Sequence, residues 1–430
     1  MRYIKQLKIL TILTLTVLTG VACDSNSSSD NGDMATISGR VESDTQSKSV
    51  TADAYIVTAA TINSDGSFSA IDGTETQTDA SGNFELMVDA SMYQNIVVMA
   101  ENNAEVMYSM TSEQIENSQS YMVKPVSVES SAETKVFAEL YANGDADMVM
   151  RSEIEAVINS AVSSEINSNS SAVADMAASL KTAAEVRASY LQEEFNSEAS
   201  AKMDEIFTSS LNAQIQLENS LNAATSLQAQ EEAYDTFNQA IIDAYLDAEV
   251  KASTTAKLFE MWGRVLVNNS TELSADAKNE FNKQISIYTS TVVDAAVMAE
   301  AEAANVEEST RTAIAQAGAD LEATIRISTG VASEIEAAFE EYHDEVRTAL
   351  ENDANFSSEI VIGIDTQINS TTGAKSDFES SFTASLNADL FVNIYTSFFS
   401  SIENTVDSMS DSSTNVAALT EIMILINTAS

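Results

Sequence analysis

Apolar residues recur three or four positions apart over most of the chain after residue 130. This spacing places them on one face of a helix, and such a face must be buried against another element. Five such series occupy residues 173–199, 234–248, 281–292, 321–350 and 378–398. The pattern predicts a large all-α domain over residues 130–430, which we expect to be an elongated helical bundle.

Clusters of Asn, Gly and Ser separate these series and predict where helices end. They lie at residues 143–145, 167–171, 268–271 and 352–373. Ser270 or Thr271 suits the N-cap of the helix that follows, because a hydroxyl there can accept a hydrogen bond from a free backbone N–H. No proline follows Pro125, which favours long helices between these breaks.

The pattern is different over residues 34–129, where strand periods replace helical ones. Residues 35–41 alternate between apolar and polar, which is typical of a half-buried strand, and residues 54–60 and 96–100 are further apolar runs. Asp65-Gly66 and Ser81-Gly82 mark turns between them. The fold class predicted for the whole chain is therefore α+β and multidomain, a small N-terminal β-sandwich followed by the helical bundle.

Four short motifs in this region carry a family resemblance. They are Ile-Ser-Gly-Arg-Val at 37–41, Tyr-Ile-Val at 55–57, Thr-Asp-x-x-Gly-x-Phe at 78–84 and Val-Val at 97–98. Together they resemble the carboxypeptidase regulatory-like domain. The resemblance implies a seven-stranded, transthyretin-like β-sandwich that acts as a non-catalytic spacer or interaction module.

The first 22 residues have the features of a secretory signal peptide. Arg2, Lys5 and Lys8 precede an apolar stretch at residues 9–18 that is too short to span a membrane. The stretch ends in Thr-Gly-Val-Ala-Cys, which resembles the lipobox of bacterial lipoproteins. The resemblance implies that Cys23 becomes the first residue of the mature protein and carries the lipid. An ordinary signal peptide followed by a chance cysteine is the alternative.

Residues 23–33 are predicted to be a flexible tether. Residues 24–33 are acidic, Ser-rich and free of apolar side chains, so they cannot bury enough surface to become ordered. Asp24 resembles an inner-membrane retention signal of some enteric bacteria, but that rule does not transfer between lineages. We expect a lipid-anchored protein of the bacterial cell envelope, on the outer rather than the inner membrane.

Composition narrows the possible functions. The 430 residues carry a net charge of −46, with one Cys and one His. Such an acidic chain lacks the basic surface that a nucleic-acid partner requires. One Cys excludes an internal disulfide framework, and one His excludes a multi-histidine metal site. The acids are spread along turns and helix faces, which indicates a solubility device.

Few individual residues indicate a catalytic, metal-binding or ligand-binding site. His343 lies among acids, and a solvated helical histidine is favoured over a metal ligand or a general base. Trp262 is interpreted as a core aromatic, with a ligand anchor as the alternative. Asp65, Asp72 and Asp79 lie near turns, which asparagine and aspartate suit; a calcium site is possible, but the EF-hand spacing is absent.

These observations predict a protein that is not an enzyme and holds no cofactor. We expect a lipid-anchored envelope protein with a structural, adhesion or interaction role, attached to the membrane through Cys23 and contacting an unknown protein or cell-surface partner. The alternative is a lipoprotein that binds a small ligand or a divalent cation between its helices, as a receptor, carrier or sensor. A cavity or buried carboxylates within the bundle would favour the alternative.

Overall fold

The computed structural model describes most of the chain between Met34 and Asn355. The described ranges are 34–42, 55–93, 95–103, 105–111, 115–194, 197–223, 252–303 and 305–355, with scattered positions in 226–240 and 393–400. The predicted signal peptide, Cys23 and the tether lie outside them, as do most of the apolar series at 234–248 and 378–398. The described residues from Met34 onwards belong to one compact unit.

The N-terminal part of this unit contains two sheets, as the strand periods predict. The strands are β1 (Ala35–Arg40), β2 (Ile56–Ile62), β3 (Phe68–Ala70), β4 (Thr76–Gln77), β5 (Asn83–Val88), β6 (Ile96–Glu101), β7 (Val106–Met110) and β8 (Ser120–Met122). One sheet has the order β5-β1-β8, and the other has the order β3-β2-β6-β7 with β4 also paired to β2. All pairs are antiparallel except β1 with β8.

The larger sheet is buried on both faces. Strict alternation of apolar and polar residues would instead predict one buried face and one exposed face. Val57 and Ala59 on β2 pack towards the smaller sheet, in one apolar core with Leu86. Ala60 and Ile62 on the same strand belong instead to the core formed by the helices. A strand covered on both faces reads as a continuous apolar run, which is what residues 54–60 show.

The later part of the unit is helical, so the α+β layout is confirmed over the described residues. The helices are α1 (Val128–Asn143), α2 (Arg151–Val157), α3 (Ser160–Ser168), α4 (Ser170–Glu194), α5 (Ser197–Ala223), α6 (Ala252–Asn269), α7 (Ala275–Ala303), α8 (Glu308–Ile327) and α9 (Ala332–Glu351). Helix α6 packs against both α4 and α7, and α8 packs against α7 and α9.

Three predicted helix ends are confirmed. Helix α1 ends before Gly144, whose φ of 78° is the left-handed conformation that glycine adopts at low cost. Helix α3 ends and α4 begins within residues 167–171, and α6 ends at Asn269. These boundaries come from local backbone chemistry, which explains why residue type alone indicates them.

Two local predictions are wrong. Ser270 and Thr271 do not cap the next helix: α7 begins at Ala275, and Ser270 Oγ donates to Leu266 O at the end of α6. The apolar series at 321–350 is two helices rather than one, because the chain turns at Gly330 with a φ of 80°. A Cβ at Gly330 would lie 2.0 Å from Asn279 O, so the turn also requires a close backbone approach.

Candidate functional site

His343 is buried, so the interpretation of a solvated histidine is wrong. It lies four residues after Phe339 and three before Val346, both of which are in the core, and only 8% of its surface is exposed. Its Nδ1 is 3.4 Å from Oδ1 of the neighbouring Asp344. The acidic neighbours in the sequence suggested solvent exposure, but the packed face of α9 includes this position.

Asp65 and Asp79, two of the three aspartates named as calcium candidates, stabilise the turns in which they lie. Oδ1 of Asp65 accepts hydrogen bonds from Ser67 N at 3.0 Å and Ser67 Oγ at 2.6 Å. Asp79 accepts from the backbone N–H groups of Ser81 and Asn83, both at 2.8 Å, and from the Asn83 amide. These hydrogen bonds lower the pKa of both carboxyls, the serine hydroxyl contributing most at Asp65 and the Asn83 side chain at Asp79.

Trp262 is a core aromatic, as predicted. Its ring lies edge-on to Phe207 and Phe259, with centroid distances of 5.6 and 6.2 Å, and Phe207 stacks on Phe259 at 4.5 Å. The residue is 1% exposed. This aromatic cluster joins α5 to α6, so the Trp262 indole fills space between two helices.

A buried ion pair adjoins the aromatic cluster. Glu153 at the start of α2 accepts from its own N-cap, Met150 N, at 2.9 Å, and its Oε2 lies 3.4 Å from Arg187 Nη2 on α4. Arg187 also binds Asp204 on α5, and its guanidinium lies 5.2 Å from the Phe207 ring centre. Burial raises the pKa of Glu153, while Arg187 acts in the opposite direction.

The indole of Trp262 lies close to the Glu153–Arg187 ion pair. Its N–H is close enough to Glu153 to favour the ionised carboxylate. However, neither Trp262 Nε1 nor Glu153 Oε1 has a hydrogen bond of ordinary geometry. The sequence did contain a signal for this pair, because Arg187 falls in the same helical spacing as the core residues Leu180, Ala184 and Leu191.

An open acidic groove runs along the contact between α8 and α9. Its volume is about 740 Å³. Alanines from both helices are among its lining residues, and the acids that line it are Asp320, Glu340, Glu341, Asp344 and Glu345. A smaller groove of about 280 Å³ adjoins it, shares Asp320, Glu341 and Glu345, and extends to Tyr342 and the exposed Ile327. We call the two together the α8–α9 groove.

The carboxylates of the α8–α9 groove repel one another. Partial burial raises the pKa of Glu345, and the negative charges of Asp320 and Glu341 raise it further. No Lys or Arg lines either part of the groove. The arrangement can attract a cation or a basic side chain, since each carboxylate becomes easier to ionise when a positive charge approaches.

A further carboxyl group lies at the contact of α7, α8 and α9. Tyr342 Oη donates a hydrogen bond to Asp294 Oδ1 at 3.2 Å. Asp294 keeps some exposed surface as a residue, but its carboxyl is enclosed by the helices. Burial raises its pKa to about 7, against the hydrogen bond from Tyr342, and the charge of Glu322 contributes to the increase.

The described residues contain no group of three or more His, Cys, Asp and Glu side chains arranged to hold a metal ion. None of the helices in the described ranges is both long and apolar enough to cross a bilayer. No protein-family model, no curated protein and no solved structure matches the chain. The function must therefore be argued from the residues of this chain.

Proposed function

We propose that the chain is a lipid-anchored protein of the bacterial cell envelope with a non-catalytic structural, adhesion or interaction role. The observation that carries this proposal is the position at which the compact unit begins. It begins at Met34, directly after the polar residues 24–33, and these follow the only cysteine of the chain. An acyl chain on Cys23 adds about 0.8 kcal/mol of membrane affinity per buried CH₂, and the polar segment separates the folded part from the bilayer.

The two sheets support an interaction or spacer role for the N-terminal part. They form a sandwich-like region in which β1, β2, β5 and β6 share one apolar core. The motifs at 37–41 and 78–84 form part of β1 and the turn before β5, and Asp79 organises that turn. This arrangement suits the module that the carboxypeptidase regulatory-like resemblance implies.

The buried charges of the helical part support a structural rather than a catalytic role. Glu153 is tied to Arg187, and Asp294 accepts a hydrogen bond from Tyr342. Each partner comes from a different helix, so these contacts hold helices together. A catalytic carboxyl would instead need access to a substrate.

Membrane fractionation with metabolic fatty-acid labelling tests the anchor. The wild-type chain should appear in the membrane fraction and incorporate a labelled fatty acid, preferentially in the outer membrane. Cys23→Ser should lose the label and move to the soluble fraction. Ser25→Ala, two residues further on, is the matched control and should behave as wild type. Retention of unlabelled Cys23→Ser protein in the membrane would refute the lipid anchor.

The second candidate is a protein that binds a divalent cation or a small cationic ligand between its helices. The α8–α9 groove attracts cations in general, because five carboxylates line a concave surface that contains no lysine or arginine, although these carboxylates are not grouped as the ligands of one metal ion. Partial burial raises the pKa of Glu345, and the nearby charges of Asp320 and Glu341 raise it further. A bound cation would relieve their repulsion and stabilise the folded state.

Thermal unfolding with calcium, with magnesium and with a chelator, at matched ionic strength, distinguishes the candidates. Saturable stabilisation by either cation that disappears in Asp320→Asn/Glu345→Gln would support the groove as a binding site. Glu205→Gln/Glu307→Gln removes two exposed acids outside the groove and should leave the cation response intact. If neither cation stabilises the protein beyond the effect of ionic strength, divalent-cation binding is excluded.

A further inference from the structure

The acids of the α8–α9 groove are spread along its length rather than gathered at one point. Helix α9 contributes Glu340 and Glu341, then Asp344 and Glu345, while α8 contributes Asp320. The two pairs on α9 are four residues apart, which corresponds to roughly 6 Å along the helix axis. The described carboxylates do not form a group that could hold one metal ion. A ligand that neutralises them therefore needs several positive charges along its length.

Small side chains lie between these acids and leave room for another backbone. Ala313 and Ala317 of α8 line the groove together with Ala337 and Ala349 of α9. The distance between the axes of two packed helices depends on the side chains at their contact, and it is shortest, roughly 8 Å, where these are small. The groove therefore has the shape that a third helix requires in order to lie against both α8 and α9.

An exposed apolar side chain lies at one end of the groove. Ile327, the last residue of α8, is 86% exposed and lines the smaller part of the groove next to Ala323 and Leu321. Val331, in the turn that leads to α9, is also exposed. A partner that covers Ile327 removes apolar surface from water, which favours association. The groove thus combines acidic side chains along its length with an apolar contact at its end.

Charge complementarity selects the occupant of the groove. Among the described residues, no Lys or Arg lines either part of it, so its carboxylates can pair with basic side chains that a partner supplies. A second copy of this chain is a poor match, because it carries 66 acidic residues against 20 basic ones. A helical partner is favoured over an extended one, since a helix satisfies its own backbone hydrogen bonds and can lie directly against alanine methyl groups.

We propose that the α8–α9 groove is the docking surface for a basic amphipathic helix of a partner protein. The Lys and Arg side chains of that helix pair with the carboxylates of the groove, and its apolar face contacts the alanines and Ile327. This proposal rests on the interaction role proposed above and names the surface and the kind of partner. It does not require lipidation of Cys23, so failure of the lipid anchor and failure of the groove are separate experimental outcomes.

Binding of a synthetic peptide to the purified full chain tests the groove. The probe is a fluorescein-labelled helix of about 20 residues, roughly 30 Å long, with lysines on both sides of a face of Ala and Leu. Its control is an isomer of the same composition in which the lysines are distributed around the helix. Fluorescence anisotropy at about 0.15 M ionic strength should show saturable one-to-one binding of the amphipathic peptide and binding of the isomer that is about 10-fold weaker. Equal binding of the two peptides, or no saturable binding, would overturn the proposal.

Substitution of the acids distinguishes the groove from the overall negative charge. Asp320→Asn/Glu345→Gln should weaken binding of the amphipathic peptide by about 5-fold, because two exposed charge pairs are lost. Glu205→Gln/Glu307→Gln removes the same charge outside the groove and should change the affinity by less than about 2-fold. Equal effects of the two double variants would show that the peptide responds only to total charge, and would contradict the groove as its binding surface.

A substitution that changes no charge tests the shape of the groove. Ala337→Gln places a larger side chain among the lining residues and should weaken peptide binding, while circular dichroism should show unchanged helix content. Ala319→Gln changes an exposed alanine of α8 that does not line the groove, and it should bind the peptide as wild type does. Wild-type affinity in Ala337→Gln would contradict a helix lying between α8 and α9.

Discussion

The carboxyl group of Asp294 on α7 occupies the space that a side chain at Gly318 on α8 would need. A Cβ placed on Gly318 would come within 2.2 Å of the Asp294 carboxyl carbon, far inside van der Waals contact. The glycine therefore lets α8 approach the carboxyl group, while Tyr342 on α9 donates a hydrogen bond to it. One acid thus sets the packing of three helices.

Gly318→Ala should destabilise the protein, although alanine is the better helix former by roughly 0.5–1 kcal/mol. Overpacking typically costs about 1–3 kcal/mol and should outweigh that gain, which leaves a net loss of about 1–2 kcal/mol in chemical denaturation. Asp294→Ala in the same chain should recover much of the loss, because it removes the atoms that clash. If the stability changes of Gly318→Ala and Asp294→Ala are additive in a double-mutant cycle, the contact between residue 318 and Asp294 does not cause the loss of stability.

Stability should fall as the pH rises from about 5 to about 9. Burial raises the pKa of Glu260 to about 8 despite Arg264, and that of Asp294 to about 7, from ordinary values of 4.5 and 3.8. Between the ordinary and the raised values the folded state binds more protons than the unfolded state, so the free energy of unfolding decreases with pH. Thermal unfolding across this range measures the effect.

Glu260→Gln and Asp294→Asn should each flatten this pH dependence, because neither amide can ionise. Glu205→Gln removes an exposed acid and should follow the wild-type curve. Carboxyls with a lowered pKa, such as Asp353, have the opposite effect on the free energy of unfolding. They stabilise the folded state when ionised, and this stabilisation is lost as the pH falls below about 4. A wild-type Tm that rises from pH 5 to pH 9 would contradict the conclusion that Glu260 and Asp294 are buried in their neutral form.

Arg187→Met should destabilise the protein by about 3–5 kcal/mol, because it leaves Glu153 buried without its cation. Glu153→Gln/Arg187→Met should be more stable than Arg187→Met alone, since the double variant buries no charge at this position. Lys181→Met breaks the more exposed pair with Asp145 and should cost much less, because water screens that pair. Urea denaturation, followed by the fluorescence of the single Trp262, measures all three. Equal losses of stability in Arg187→Met and Lys181→Met would show that burial does not increase the contribution of the Glu153–Arg187 pair.

The sequence alone determined the features that depend on neighbouring residues. Strand alternation in β1, the turn at Asp79 and the end of α1 at Gly144 follow from backbone and side-chain preferences over a few positions. The helical series likewise located α4 and α7, because the spacing of apolar residues is a local property. The buried position of Trp262 followed from its apolar surroundings.

The helical spacing of Arg187 indicated that it is buried, but only the tertiary structure decided which other charged residues are buried and what each of them contacts. Glu133 and Glu153 are chemically like the many exposed glutamates, and their burial depends on Lys124 and Arg187 arriving from other elements. His343 is buried because the packed face of α9 is wide, and the acidic groove exists because the chain turns at Gly330 and brings α9 alongside α8. Such contacts join residues far apart in sequence, so no pattern within a short stretch of sequence predicts them.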